Sequence, residues 1–324
     1  MNAPVRKILL TGSSGFVGTA VRARFAERGV AVRSVTRRGT GDGTSFAIAT
    51  LDETTCWDGA WDGVDAVVHL AAKVHAMDEQ GSEHLETYRK VNVRGTIHLA
   101  REAAKAGVKR FVHVSSVKAA GESSTTSADG SPVPLTEATG TRPEDPYGLS
   151  KYEAEIALRD LSGTTGLEVC ILRPPLVYGA GVRANFLSLL RLAASGVPLP
   201  IASIDNRRSM VFVKNLADAI AVATTSPAAP GKTFFVADEP PVSTATLVRS
   251  MREALRIPAR LVPVPPRALR TVGAFLGKGA ALDRLTGSLV VDTTAIRREL
   301  GWVPPFTMSD GLRETVAWFV ERRG

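Results

Sequence analysis

The stretch Lys7-Ile-Leu-Leu-Thr-Gly-Ser-Ser-Gly-Phe-Val-Gly18 decides the fold. Its apolar front reads as a strand and its end opens a helix, so the glycines fall in a strand-to-helix turn. There Gly12, Gly15 and Gly18 leave the backbone bare, which lets a pyrophosphate lie against the positive end of the helix. The reading is a dinucleotide cradle. Far along the chain, Tyr147-Gly-Leu-Ser-Lys151 follows Pro146, a residue suited to the first turn of a helix. A phenol and an ammonium at i and i+4 share one helix face, a pairing suited to proton transfer beside a hydride donor.

Outward from the cradle, apolar runs at 6–10, 30–36, 64–70, 109–115 and 167–173 read as strands, alternating with helical periodicity at about 15–28, 85–106 and 147–163. Gly29 and Gly107 stop the first two helices. This rhythm predicts an α/β fold, a Rossmann-like doubly wound parallel sheet. After Pro175 the pattern is broken by prolines and predicts a second, smaller mixed α/β substrate domain. The expected division is 1–175 for dinucleotide binding and 176–324 for substrate, with about 210–236 returning to the first part. Ser309 to Arg323 reads as a final amphipathic helix with Leu312, Val316 and Phe319 on one face. Between Gly121 and Pro146 the chain is polar and too poor in apolar residues to pack as a core element, which leaves two readings, a cover over a substrate or a solvated excursion with no role.

With 324 residues, 44% apolar and 22% charged, the composition is that of an ordered globular protein. A first strand so near Met1 leaves no room for a secretory leader, and no apolar run approaches the roughly twenty residues of a bilayer span. A cytoplasmic protein without an integral membrane span is expected. The formal charge of +8 is spread over many segments, with no basic block interleaved with aromatics, so the expected partners are small polyanions rather than nucleic acid. Cys56 and Cys170 suggest neither a disulfide framework nor a metal site, and the five histidines show no ligand spacing.

The two opening motifs are joined by His69-Leu-Ala-Ala72, Asn92-Val-Arg-Gly-Thr96, Val114-Ser-Ser116, Leu172-Arg-Pro-Pro-Leu-Val-Tyr-Gly179, and Arg208 ahead of Val213-Lys-Asn-Leu-Ala-Asp218. With them the chain resembles, nearly end to end, the extended short-chain dehydrogenases/reductases of the nucleotide-sugar epimerase/dehydratase/reductase group. The strings from His69 to Met77, Ser116-Val-Lys118 and Asn206 to Val213 are most similar to bacterial enzymes of surface-polysaccharide sugar synthesis. The resemblance implies that Ser116, Tyr147 and Lys151 are catalytic. Tyr147 would trade a proton with the sugar oxygen, Ser116 would donate to that oxygen, and Lys151 would hold the cofactor ribose and favour the phenolate. It also implies cofactor contacts from Gly12, Ser14, Gly15, Phe16, Val17 and Gly18, from Leu51, from Leu70, Ala71 and Ala72, and from Asn92 and Pro174. Substrate contacts are implied at Lys118, at Asn185 for the nucleotide end, at Arg208 for the diphosphate, and at Arg284. A homodimer through the helices at 85–106 and 147–163 is implied as well.

Departures from the family pattern sharpen the expectation. NAD-preferring members end the second strand with an acidic residue on the adenosine ribose, but here Val32-Arg-Ser-Val-Thr36 leads into Arg37-Arg38. Two guanidiniums ready for a phosphate favour NADPH, with NAD the alternative. Val117 and Lys118 stand where dehydratases carry acidic residues, which argues against 4,6-dehydration. Thr50 replaces a family aspartate before Leu51. The expected activity is NADPH-dependent reduction of a UDP-4-keto-6-deoxy-N-acetylhexosamine; the alternative is a UDP-hexose or UDP-N-acetylhexosamine 4-epimerase with tightly bound NAD.

Overall fold

The first apolar run forms β1 (Lys7–Thr11), flanked on either side by the parallel strands β2 (Ala31–Thr36) and β4 (Ala66–His69). The structure, a computed structural model, describes residues 4–39, 44–74, 82–265 and 285–322, with positions 268 and 279. Outside β2 lies β3 (Ser45–Ala47); outside β4 come β5 (Arg110–Val114), β6 (Glu168–Arg173) and β9 (Thr233–Phe235). The sheet therefore runs β3-β2-β1-β4-β5-β6-β9, parallel throughout. Strand order reverses between β1 and β4, and ligand crevices open at such a point beyond the carboxyl ends of the strands.

The sheet is buried on both faces. Ile8, Leu10, Val68, Val112 and Leu172 pack against Val21 and Phe25 of α1 (Phe16–Glu27) and Leu216 and Ile220 of α6 (Val213–Thr225). Leu9, Val67, Phe111, Val169 and Ile171 face the other way, onto Leu99 and Ala103 of α3 (Thr96–Lys105) and Leu158 of α4 (Pro146–Thr165). Two covered faces explain why these strands read as continuous apolar runs. Each buried Leu or Phe contributes on the order of 2 kcal/mol.

One helix was expected over 85–106. The chain instead forms α2 (Ser82–Tyr88), a π-helical turn at Arg89–Gly95, and then α3. A Cβ on Gly95 would stand 2.8 Å from the Leu51 carbonyl, so the widened turn passes directly against the loop after β3. Helix α4 begins as its sequence suggests: Pro146 occupies the first turn and Asp145 Oδ1 accepts from the Gly148 amide at 2.6 Å.

The polar stretch before α4 departs from expectation. Leu135 is buried with Val117, Ala120, Phe235, Leu289 and Val291, and its amide donates to the Val290 carbonyl at 2.8 Å. The Leu135 carbonyl accepts from the Asp292 amide at 2.9 Å, and the Ser124 amide donates to the Ser288 carbonyl at 2.9 Å, so the segment is held at two points.

Strands β7 (Leu176–Tyr178) and β8 (Met210–Phe212) pair with each other outside the main sheet. Beside them, α5 (Ala184–Ala194), α7 (Thr244–Ala254) and α9 (Met308–Glu321) enclose a core that includes Phe186, Leu190, Met251, Leu312, Val316 and Phe319. Helix α8 (Thr294–Leu300) instead sends Ile296 into the core beneath α6. Cys56 is exposed, Cys170 is buried in β6, and both are free thiols. Among the described residues no helix is long and apolar enough to cross a membrane.

Candidate active site

At the carboxyl end of β1 the chain turns sharply into α1. Gly12 has φ +71°, and a Cβ there would lie 2.9 Å from the Ala71 amide nitrogen; one on Gly18 would lie 2.1 Å from the Gly12 carbonyl oxygen. Only glycines allow this loop and helix to approach so closely. Beside the loop opens a cleft of about 670 Å³. Gly12, Ser14, Gly15, Phe16, Val17, Gly18, Arg37, Leu51, Leu70, Ala71 and Ala72, all expected from the sequence, line it. Thr36, Ile48, Ala49, Thr50, Lys73, Val74 and Val91 line it too and were not foreseen as contacts. A bare glycine turn at a helix start, with an elongated trough running past the ends of β2 and β4, fits a dinucleotide.

Four expected cofactor residues lie elsewhere than the cleft wall. Arg38 is exposed past the end of β2, where its carbonyl accepts from Thr36 Oγ1. Pro174 is buried, its carbonyl accepting from the Val117 amide at 2.9 Å. Lys151 belongs to the cluster below. Asn92 sits in the π turn as a brace: its Oδ1 accepts from the Lys73 amide at 2.8 Å, while Nδ2 donates to the Lys73 carbonyl and to Ser150 Oγ. Ser150 in turn donates to the Tyr147 carbonyl. Asn92 thus ties the loop after β4 to the first turns of α4.

A second set of bonds reaches the same brace from the glycine turn. Thr11 Oγ1 accepts from the Leu70 and Ala71 amides, so its own proton goes to His69 Nδ1 at 2.7 Å. His69 then donates from Nε2 to Thr96 Oγ1 at 2.9 Å, and Thr96 donates to the Asn92 carbonyl. Burial pushes His69 down to about 3, with the Lys151 charge acting in the same direction, so the ring is neutral in this role. Nothing in the spacing of the histidines signals it.

Ser116, Tyr147 and Lys151, expected as the catalytic set, come together where β5 ends. Ser116 lies beside the Tyr147 hydroxyl, where its side chain counters the rise of the phenol, and Lys151 Nζ donates to the Val114 carbonyl at 2.8 Å. Helix α4 reaches this position because Gly148 lets it touch the turn after Ser116. The electrostatics differ from expectation. Burial, joined by the Asp145 charge, pushes the phenol up to about 12, and burial pushes the Lys151 ammonium down to about 7. In so dry a corner neither charged form is favoured by the protein alone.

Lys118 is bound to Asp145 Oδ2 at 2.5 Å and to Glu122 Oε1 at 3.0 Å. Burial acts against its charge, but the two carboxylates outweigh burial and raise it, the opposite of what a base requires. Of the other expected substrate residues, Asn185 is exposed on the first turn of α5, and Arg208 is half-buried, donating to the Gly287 carbonyl at 3.1 Å. Neither lines the cleft. Arg284 lies outside the described residues.

Known proteins resemble this chain over most of its length. A family model described as "NAD dependent epimerase/dehydratase family" matches residues 8–237. A UDP-glucose 4-epimerase of Vibrio cholerae is 41% identical over 320 residues, covering 98% of this chain and 96% of that protein. An N-acetyl-alpha-D-glucosaminyl-diphospho-ditrans,octacis-undecaprenol 4-epimerase of Escherichia coli O157:H7 is 27% identical, covering 96% and 94%. Among solved structures, a short-chain dehydrogenase/reductase superfamily protein from Agrobacterium tumefaciens with bound NAD superposes with a TM-score of 0.73 at 25% identity, covering 98% of each chain.

Proposed function

The chain belongs to the NAD dependent epimerase/dehydratase family, and from that premise we propose that it interconverts the configuration at C4 of a UDP-hexose or UDP-N-acetylhexosamine. The observation that carries this reading is the meeting of Ser116, Tyr147 and Lys151 at the end of β5, tied through Ser150 and Asn92 to Lys73 on the cleft wall. The 41% likeness to a UDP-glucose 4-epimerase favours epimerisation over the net reduction expected from sequence.

Gly12 to Gly18 would hold the pyrophosphate of a dinucleotide, Leu51 and Thr50 its adenine end, and Leu70 to Ala72 its middle. Its nicotinamide supplies a hydride acceptor or donor. Ser116 donates to the C4 oxygen and fixes it against Tyr147. Tyr147 takes the proton of the C4 hydroxyl and returns it to the same oxygen. With its phenol pushed up to about 12, Tyr147 needs neighbouring positive charge to take that proton, a role this reading gives to Lys151, one turn on along α4. Residues 1–175, with α6 and β9, form the dinucleotide side of the enzyme, and the remainder of 176–324 closes on the sugar nucleotide, with Arg208 toward its diphosphate.

A second reading rests on Arg37, which rims the cleft at the end of β2 with no ion-pair partner among the described residues. It favours NADPH and net reduction of a UDP-4-keto sugar, in which Tyr147 only gives up a proton. Incubating the purified protein with UDP-glucose and with UDP-N-acetylglucosamine, without added cofactor, and following the sugar protons by NMR separates the two. Appearance of the 4-epimer, with NAD released on denaturation, supports the epimerase. NADPH oxidation confined to 4-keto sugar nucleotides supports the reductase, and neither result leaves the C4 reading without support.

A further inference from the structure

Three successive residues at the end of β5 each hold one turn of α4. Ser116 meets the Tyr147 hydroxyl, the Val114 carbonyl accepts from Lys151 Nζ, and Ser115 Oγ donates to Glu155 Oε1 at 2.6 Å. Tyr147, Lys151 and Glu155 follow one another at i, i+4 and i+8 and so share one helix face. Proton transfer accounts for the first two and leaves Glu155 unexplained.

The Glu155 side chain is 0% exposed, and a carboxylate so placed is costly unless it is paired and hydrogen-bonded. Arg173 on β6 supplies the pairing through both carboxylate oxygens, from Nε at 2.9 Å and from a terminal nitrogen at 2.6 Å. Arg159, one turn further along α4, adds a contact at 3.1 Å. Anchoring a helix to a sheet does not by itself call for buried ions, because well-packed apolar side chains of similar volume do it as well or better. What an ion pair adds is charge in a fixed place, and here that place is one turn from Lys151.

We propose that Glu155 is a positioning residue for Lys151: tied to Ser115 and Arg173, it fixes α4 against the end of β5 and holds an anion one helical turn from the Lys151 ammonium. The inference rests on the reading above, in which the Lys151 ammonium takes part in turnover. The titratable and charged groups around that ammonium are His69 on β4, His113 on β5, Tyr147 and Glu155 on its own helix, and Arg173 on β6 behind Glu155. The two imidazoles are buried and held neutral, so Glu155 and Arg173 provide the fixed charges. Burial brings Lys151 down to about 7 and Glu155 works against that fall.

The test is a 13C NMR titration of the Lys151 ε-carbon in lysine-labelled protein without added cofactor, the signal being assigned by its loss in Lys151→Met. Glu155→Gln should lower the midpoint by about one pH unit, and Arg173→Gln should raise it. An inert brace would leave both midpoints in place or move them in the same direction, and either result overturns the proposal. If these variants do not fold, Ser115→Ala decides, since it loosens the tie without stranding an ion. Its kcat should fall about tenfold with the dinucleotide Kd unchanged, and a wild-type kcat overturns the proposal. Failure of the parent reading shows separately: Lys151→Met would then turn over at the wild-type rate while Glu155→Gln and Arg173→Gln still shift the midpoint oppositely.

Discussion

The α-carbon of Gly148 faces the Lys118 carbonyl so closely that a methyl group placed on it would lie 2.5 Å from that oxygen. This contact brings the first turn of α4 onto the turn that follows β5, and with it Tyr147 onto Ser116. Asp145 reinforces it from both sides, capping α4 with one carboxylate oxygen and binding Lys118 with the other.

Gly148→Ala therefore forces the helix and the turn apart. Overpacking of this kind costs about 1–3 kcal/mol, read as a lower urea midpoint. Turnover should fall at least about tenfold because the Ser116 to Tyr147 contact lengthens. An alanine variant with the stability and kcat of the wild type would show that the two segments can separate freely.

Tyr147→Phe keeps the ring contact with Tyr88, whose centroid lies 6.1 Å away, and removes only the hydroxyl. Loss of a positioned proton donor should reduce kcat by about a hundredfold or more, with dinucleotide affinity nearly unchanged. Steady-state kinetics beside a fluorescence titration of the cofactor check both halves.

Arg37→Glu places a carboxylate at the cleft rim where the sequence has none. NADPH binding should weaken by about tenfold or more, while NADH affinity stays within a few-fold. Equal losses for the two dinucleotides would mean that Arg37 does not read the adenosine end.

Acid should destabilise the fold through two buried imidazoles. His69 is held near 3 by burial and by Lys151, and His113 is also held well below its ordinary value by burial. Between about pH 3 and 6.5 the unfolded chain binds more protons at His69 than the folded one, so stability rises with pH there and is lost on acidification. From pH 7 to pH 5 His69 alone should remove about 2 kcal/mol, with a further loss from His113. Urea unfolding at the two pH values measures this, and His69→Gln should show a shallower dependence. A flat stability between pH 5 and 7 would contradict the neutral buried state.

Much of this was legible because it is written locally. The glycine spacing, the alternation of apolar runs with helical periods, and the Pro-Tyr start of α4 depend on residues a few positions apart. Composition could not reveal the π turn at Asn92, since it arises where Gly95 must pass the Leu51 carbonyl from another part of the chain. Nor could it reveal the burial of Leu135, an isolated leucine in a polar stretch.

The sequence by itself determined that the chain winds a parallel sheet with a dinucleotide turn at its first strand, and that a Tyr and a Lys share one helix face. Only the tertiary structure decided what those two residues meet. Ser116, Val114 and Ser115 select Tyr147, Lys151 and Glu155 across a packed interface, where burial acts against the charged forms of Tyr147 and Lys151 and Arg173 on β6 pairs with Glu155. Burial and pairing between distant segments are properties of the folded surface, and a one-dimensional pattern does not contain them.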